Sequence, residues 1–432
     1  MTLQDPASRR LALLALALAL ALPAGSVRAA DDPWIRYENA SFTAYSSAPE
    51  KKVLALLEEL ETFRAAFLQV ANIPLPPDAS RTLVLVPASP REFKKLTASP
   101  LVAGFAQNDG RRTLIVMPVY GDRNWTKTVV RHEYGHALLR YKRFPYPAWY
   151  EEGFAELVSS TQLVNKGQSF TIGTPPLRAK QNGPPQFDWN ALVSRDFQPD
   201  RMTNREKASS AYAQAWLLAH YATLGNDLKN APKLQAYFDR LTAGESLGDA
   251  FEESFGMTAD ELWDRELKAY TKRIPGYTFP YRPGAVDLDF SRGPAAVSEV
   301  DGIVHYLELR SAIDDKPQPP QDVLAALKGR WAPLRIGLEC ENVLEFDAGS
   351  SAGTLTVKGA SGHGEAASYR YQLAGDGSVV LVPVGDDAGD GEKLRIRQRT
   401  NDLLCMAPDN DDHDDDACSR AAFRCASATD RT

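Results

Sequence analysis

The chain is poor in the residues that would place it in several functional classes. Among its 432 residues are only four cysteines, six histidines and five methionines, and the formal net charge is −7. This mildly acidic balance provides no basic surface for nucleic acid, so we expect no nucleic-acid partner. Apolar runs long enough to cross a bilayer are absent beyond the N-terminus, and so are internal repeats. What remains is an ordinary globular composition, over a length that suits two or three domains.

The N-terminus has the pattern of an export signal. Arg9 and Arg10 precede the apolar run LALLALALALAL, and the small-residue pattern Val27-Arg28-Ala29 follows it. The sequence therefore predicts a signal peptide over residues 1–29. The mature protein is then exported to the periplasm or the medium, with no stable membrane insertion after cleavage. An uncleaved N-terminal anchor is the alternative.

The four cysteines all lie in the last quarter of the chain: Cys340, Cys405, Cys418 and Cys425. An even number in an exported protein favours disulfides, and three pairings are possible. None of the cysteines belongs to a CxxC pair, so a cysteine-bound metal is not expected.

The spacing of apolar residues predicts an α+β fold in several parts. A mixed α/β part is predicted over residues 31–123 and a helical part over residues 124–273. A linker and connecting segment over 274–325 and an all-β domain over 326–432 follow. The β domain opens with Gly329-Arg330-Trp331, which resembles the start of lipocalin-like barrels, and it contains the cysteines.

Within the first part, the individual elements can be predicted from local patterns. Phe42–Tyr45 and Thr82–Val86 have the composition of strands, and Lys51–Val70 carries apolar residues at helical spacing. Asp109-Gly110, between two runs of β-formers, predicts a hairpin turn.

The centre of the chain, VVRHEYGHALLRYKRFPYPAWYEEGFAELV, contains two histidines four residues apart around a glutamate. On a helix, residues i and i+4 share a face, so His132 and His136 can both bind one tetrahedral ion. Glu133 would then lie beside a water on that ion and act as general base. The alternative is a pair of charged amphipathic helices. A metal explains the pattern better because the motif lies within an apolar helix rather than on a solvated face.

A second carboxylate pair, Glu152 and Glu156, follows after a loop that contains two prolines. Zinc needs a third protein ligand, and Glu152 is the candidate. Glu156 lies one helical turn later on the same face, where it can accept the spare N–H of a ligand histidine. The sequence predicts one Zn²⁺ ion bound by His132, His136 and Glu152.

His132-Glu133-Tyr134-Gly135-His136, followed after fifteen residues by Glu152-Gly153-Phe154-Ala155-Glu156, resembles the gluzincin zinc metallopeptidases, and it is similar to peptidase MA-like secreted proteins. The resemblance extends over residues 34–272. It implies a zincin-like catalytic region, with a glutamate as third ligand and a carboxylate that supports a ligand histidine.

Two further segments carry parts of this resemblance. Tyr212-Ala213-Gln214-Ala215-Trp216 is similar to a helix start that, in the aminopeptidase branch, carries a tyrosine steadying the oxyanion. The resemblance implies this catalytic role for Tyr212, and the alternative is a tyrosine that packs between helices. His220, two turns further along, is expected to be structural.

Gly104-Phe105-Ala106-Gln107-Asn108 lies where gluzincin aminopeptidases carry G-x-M-E-N. In that pattern the glutamate holds the substrate's α-ammonium, whereas Gln107 is a neutral amide that cannot form a salt bridge. The segment could equally be only a strand end and a turn. In either case we expect Gly104, Phe105 and Gln107 to border the cleft and to pair with an extended substrate.

These features together predict an exported zinc metallopeptidase that acts on peptides or proteins, as an endopeptidase rather than an aminopeptidase. One alternative is a zinc-bound, non-proteolytic binding protein, but binding alone does not require a base such as Glu133. Another is a zinc hydrolase that acts on a non-peptide amide or ester.

Overall fold

The computed structural model describes residues 34–71, 81–97, 101–109, 112–140, 144–176, 179, 185–199, 202–282 and 286–311, together with residues 329–336 and the later strands of the C-terminal part. The predicted signal peptide and the cysteine pairing lie outside the described residues. Among the helices that are described, none combines the length and the apolar character needed to span a membrane.

The N-terminal part is built on a mixed sheet of six strands. The strands are β1 (Ile35–Glu38), β2 (Phe42–Ser46), β3 (Thr82–Val86), β4 (Phe105–Asn108), β5 (Thr113–Val116) and β9 (Ser291–Pro294). They are ordered β4-β5-β3-β2-β1-β9. The three central strands β2, β3 and β5 are parallel, while β4, β1 and β9 pair antiparallel with their neighbours. The predicted hairpin is confirmed as β4–β5, and β4 is an edge strand.

Both faces of this sheet are covered, which explains why β2 and β3 are buried at every position. The covering helices are α1 (Glu50–Ala71), α2 (Pro90–Phe93), α3 (Arg123–Arg140) and α11 (Val297–Ser311). Val84 and Val86 share a core with α1 and α3. Leu83 and Leu85 point the other way and share a core with α11 and with Phe93 of α2.

The helical part has a core of its own, rich in tryptophan and tyrosine. Its elements are α4 (Ala148–Ser159), α5 (Trp189–Leu192), α6 (Arg205–Leu224), α7 (Ala231–Thr242), α8 (Leu247–Phe255), α9 (Ala259–Leu262), a π-helical turn (Trp263–Leu267) and α10 (Lys268–Tyr270). The side chains of Trp149, Trp216 and Tyr237 are buried at its centre.

Residues 124–273, which were predicted to be mainly helical, also contain short strands. A small antiparallel sheet contains β6 (Gln162–Val164), β7 (Ser169–Ile172) and β8 (Tyr277–Pro280). Strands of three and four residues are too short to show a clear alternation of apolar residues. The turn between β6 and β7 contains Asn165 and Lys166 with positive φ, a conformation typical of tight turns between antiparallel strands.

Part of the predicted linker is also structured. Within residues 274–325, β8 joins the small sheet, β9 extends the main sheet beside β1, and α11 covers one sheet face. The proline- and glycine-rich composition of this segment hides short strands whose partners lie far away in the sequence. The segment therefore belongs in large part to the N-terminal fold.

The described part of the C-terminal region consists of strands that close into an antiparallel barrel. They are β10 (Gly329–Pro333), β11 (Leu344–Ala348), β12 (Thr354–Gly359), β13 (Ala367–Leu373), β14 (Val379–Pro383), β15 (Leu394–Thr400), β16 (Leu403–Pro408) and β17 (Arg420–Arg424). β10 pairs with β17, which closes the barrel. The predicted α+β fold is confirmed.

Candidate metal centre

The helix α3 has one face directed to the sheet and another directed to α4. The Asp122 carboxylate accepts hydrogen bonds from the backbone N–H groups of Asn124 and Trp125, at 2.8 and 3.2 Å, and so caps the first turn. Val130 and Tyr134 are buried in the sheet core. The opposite face of the same helix therefore presents the His132–His136 pair toward α4.

Helix α4 follows Pro147 and contributes side chains to both the helical core and the core of the main sheet. Leu157 is part of the helical core, while the next residue, Val158, is part of the sheet core. Gly135 lets α3 and α4 approach closely, because a Cβ at that position would lie 2.6 Å from Val158 Cγ2 and 2.9 Å from Ala155 Cα. This close approach brings the Glu152 carboxylate to the two histidines.

The three predicted ligands converge, and this group could hold a metal ion. Glu152 Oε2 lies 3.4 Å from His132 Nε2 and 3.7 Å from His136 Nε2. Two ligand atoms bonded at about 2.0–2.1 Å to one tetrahedral ion lie about 3.3 Å apart. The observed separations are therefore close to those that a shared ion requires. Two imidazole nitrogens and one carboxylate oxygen leave one tetrahedral position for water or substrate.

Glu156 lies on the other side of His132 from Glu152. Its Oε1 is 3.2 Å from His132 Nδ1, the nitrogen that does not point to Glu152. Its side chain is only 2% exposed, compared with 14% for His132. A buried carboxylate at this place accepts a hydrogen bond from Nδ1–H and keeps Nε2 free to bind a metal.

The electrostatics of the site favour a positive charge. Burial by itself lowers the pKa of His132, but the hydrogen bonds to Glu152 and Glu156 and the nearby charge of Glu133 outweigh it and raise the pKa to about 10. Carboxylates that stabilise an imidazolium also stabilise a bound cation. The residues present thus fit a divalent metal in charge as well as in geometry.

Glu133 is buried and lies against Gly104, the residue directly before β4. A Cβ at position 104 would lie 3.1 Å from Glu133 Cγ and 3.2 Å from its Oε1. Gly104 is thus the residue that leaves room for the Glu133 side chain. Phe105 and Gln107 continue from it along β4, half-buried, opposite Val116 and Leu114.

Tyr212 lies next to the ligand group. Its ring centroid is 6.2 Å from that of His132, with the rings inclined at 64°. Tyr212 lies within α6, which begins at Arg205, two turns earlier, with the Asn204 side chain as its cap. The orientation of the Tyr212 side chain therefore depends on how α6 packs against α4. Gly153 makes that packing close, since a Cβ there would lie 2.3 Å from Ala215 O.

An ion-pair network behind the site was not predicted. Arg131, adjacent to His132, donates to Glu59 of α1 and to the Thr161 carbonyl after α4, and Lys127 Nζ lies 2.5 Å from Glu59 Oε2. The network holds α3 to both neighbours. Sequence patterns do not reveal such pairs, because Glu59 and Arg131 are 72 positions apart.

His220 is fully buried and has the structural role that was expected. Its Nε2 lies 3.0 Å from Gly173 O and 3.1 Å from Pro275 O, while Nδ1 lies 2.9 Å from the Tyr270 hydroxyl. The two carbonyls accept from Nε2–H, which leaves Nδ1 to accept from Tyr270. The ring links α6 to the loops that flank the small sheet.

Comparison of the sequence with known protein families and with curated protein sequences gave no match in either case.

Proposed function

We propose that this protein is an exported zinc metallopeptidase of the gluzincin type, with a zincin-like catalytic region and a C-terminal β domain. The observation that carries the proposal is the convergence of His132 Nε2, His136 Nε2 and Glu152 Oε2, with Glu133 on the same helix. Zinc is the preferred ion because two imidazoles and one carboxylate form a ligand set common in catalytic zinc sites.

Glu133 is the proposed general base. A zinc ion at this site would supply Lewis-acid polarisation of the scissile carbonyl and would lower the pKa of a bound water. The Glu133 carboxylate accepts a proton from the attacking water and returns it to the leaving nitrogen. Its burial keeps bulk water away from this transfer.

Tyr212 is the proposed donor to the oxyanion. Its ring beside His132 is compatible with a hydroxyl directed to the carbonyl oxygen of a bound peptide. The two proposed catalytic side chains then come from different helices, Glu133 from α3 and Tyr212 from α6.

The substrate is proposed to be an extended peptide that pairs with the edge strand β4. This strand has a neighbour, β5, on one side of the described sheet, and Gly104, the residue directly before it, borders Glu133. Main-chain pairing along Gly104 and Phe105 would align the scissile bond with the base. Gln107 offers no charge for a terminal ammonium, which favours internal cleavage over aminopeptidase action.

The test combines metal content with activity. The purified mature protein and Glu133→Gln are analysed for metal and then incubated with a mixed peptide library read by mass spectrometry. We expect about one zinc in each protein, and a loss of at least ~10²-fold in cleavage for the variant. Glu58→Gln, an exposed glutamate of α1, is the matched control and should cleave normally.

Each other outcome favours a different reading. Zinc in both proteins without cleavage by either would favour a binding protein or a hydrolase of non-peptide amides or esters. No zinc in either protein would contradict the proposal. Cuts at peptide N-termini alone would contradict the inference drawn from Gln107.

A further inference from the structure

Tyr120 lies in the loop between β5 and α3 and is attached to the first turn of that helix. Its backbone N–H donates to Thr126 Oγ1 at 3.1 Å, and Thr126 Oγ1 in turn donates to Asp122 O at 3.0 Å. Its ring contacts Trp125 edge to face, with centroids 6.3 Å apart. Tyr120 therefore has a fixed position relative to α3, the helix that carries His132, Glu133 and His136.

The hydroxyl of Tyr120 extends to the segment that leads into β4, where it donates to Ala103 O. The next residue, Gly104, is the one that lies against Glu133 and against Val129 of α3. A short cycle of contacts results, from the start of α3 through Tyr120 to Ala103 and Gly104, and back to Glu133. Without the hydroxyl, the Ala103 carbonyl would lose this link to α3.

We propose that Tyr120 is a positioning residue, whose hydroxyl holds the Ala103–Gly104 segment against Glu133 and thereby orients both the base and the start of the edge strand. The effect of Tyr120 on catalysis rests on the proposed function. The local link that Tyr120 makes between α3 and the segment before β4 does not depend on that function.

The hydroxyl keeps its proton over the whole working range of an exported enzyme. Burial and the nearby charge of Glu133 raise the pKa of Tyr120 to about 12, so the phenol remains a donor in neutral and mildly alkaline solution. The hydrogen bond from Tyr120 to the Ala103 carbonyl therefore keeps its donor in that range. Misplacement of a reacting group by a fraction of an ångström is enough to slow catalysis.

The first test is Tyr120→Phe, which removes the hydroxyl and keeps the ring against Trp125. We expect amide hydrogen exchange over residues 103–106 to rise about 5-fold in the metal-free protein, the change expected for loss of one ordinary hydrogen bond. In the metal-loaded protein we expect kcat to fall about 10-fold, with unchanged metal content and a smaller change in KM.

Tyr277→Phe is the matched control. Its hydroxyl also donates to a backbone carbonyl, that of Leu224 at the C-terminal end of α6, at 2.8 Å. This variant should leave both kcat and the exchange of residues 103–106 unchanged. An equal effect of both variants would mean a general loss of stability and would overturn the proposal.

Gly104→Ala supplies a second, independent variant. The new Cβ would lie 3.0 Å from Val129 Cγ1 and 3.1 Å from Glu133 Cγ, so the Glu133 side chain must shift. Because both variants disturb the same contact, the double variant should lose less activity than the product of the two single losses. A full multiplicative loss would overturn the shared role.

Failure of this inference is distinguishable from failure of the proposed function. If the wild-type protein binds metal and cleaves nothing, the exchange measurement still decides: a rise confined to residues 103–106 in Tyr120→Phe supports the tether. Unchanged exchange in that segment overturns it, whatever the activity of the wild-type protein.

Discussion

At the residue scale, Glu156 shows how a buried carboxylate can orient a histidine of the proposed metal site. It contacts His132 Nδ1 at 3.2 Å and is almost inaccessible to solvent. An imidazole held in this way presents Nε2 in one tautomer and one orientation, which increases its basicity toward a metal.

Replacing Glu156 with glutamine should therefore weaken metal binding. The amide keeps the size of the side chain but loses the charge, and we expect the dissociation constant for zinc to rise about 10–100-fold. Competition with a chromophoric chelator measures this change, with Glu58→Gln as the control. An unchanged dissociation constant would mean that Glu156 does not support His132.

His220 is a second residue whose environment selects one protonation state. Burial lowers its pKa from 6.5 to about 4, and the hydrogen bonds to the Gly173 and Pro275 carbonyls only partly offset this effect. The unfolded chain therefore binds more protons than the folded one between these two pH values. Stability that depends on neutral His220 is present above pH 6.5 and is lost as the pH falls toward 4.

The difference in the pKa of His220 between the folded and unfolded states predicts a loss of up to about 3 kcal/mol of unfolding free energy between pH 6.5 and pH 4. In His220→Gln this part of the pH dependence should disappear, although the variant is less stable than the wild type at pH 7. Urea denaturation at several pH values measures it. His305→Gln, on the exposed side of α11, should retain the wild-type slope, and a wild-type slope in His220→Gln would contradict the assignment.

At the scale of elements, two glycines determine how closely the helices of the site pack. Gly135 lies between α3 and α4, and Gly153 lies between α4 and α6. Glycine in a helix interior costs about 0.5–1 kcal/mol relative to alanine. The close approach that these glycines permit offsets that cost, since it brings Glu152 to the histidines and Tyr212 beside His132.

Gly153→Ala should consequently damage both stability and the site. Its Cβ would lie 2.7 Å from Ala219 Cβ as well as close to the Ala215 carbonyl, so α4 and α6 must separate. We expect a loss of about 1–3 kcal/mol in unfolding free energy and weaker zinc binding.

Thermal unfolding of the metal-free protein and chelator competition measure the two effects separately. Gly248→Ala is the matched control, because a Cβ at this exposed position of α8 meets no atom within 4 Å. The control should be as stable as the wild type or more stable. Equal behaviour of the two variants would exclude the packing explanation.

For the whole molecule, the residues after β10 attach the barrel to the N-terminal part. Ile336 is fully buried in the core that α11 shares with the main sheet. Its backbone N–H donates to Asp109 Oδ2 at 2.9 Å, and its carbonyl accepts from Arg112, so both sides of the β4–β5 turn hold it. This contact lies on the sheet face opposite to α3.

Ile336→Asp should release the barrel without removing the metal site. A charge in this apolar core is unfavourable unless it becomes solvated, and separation of the two parts solvates it. We expect a larger radius of gyration in small-angle X-ray scattering and an unchanged zinc content. Val297→Asp, at a position that is 75% exposed, is the control and should leave the radius of gyration unchanged. An unchanged radius in Ile336→Asp would mean that other contacts hold the barrel.

Much of the N-terminal fold could be predicted from local patterns. The long helix α1, the strand Thr82–Val86 and the β4–β5 hairpin follow from periodicity and turn chemistry. The small sheet and β9 could not be predicted, because their strands are short and are stabilised by partners distant in the sequence.

The sequence by itself determined the His132–Glu133–His136 group, because helical geometry places residues four apart on one face whatever the rest of the chain does. It also suggested Glu152 and Glu156, through their spacing and a resemblance. Only the tertiary structure decided which nitrogen of His132 faces which carboxylate, and that Gly104 lies against Glu133. Those contacts join separate elements, and their distances depend on how closely the elements pack, which no local pattern specifies.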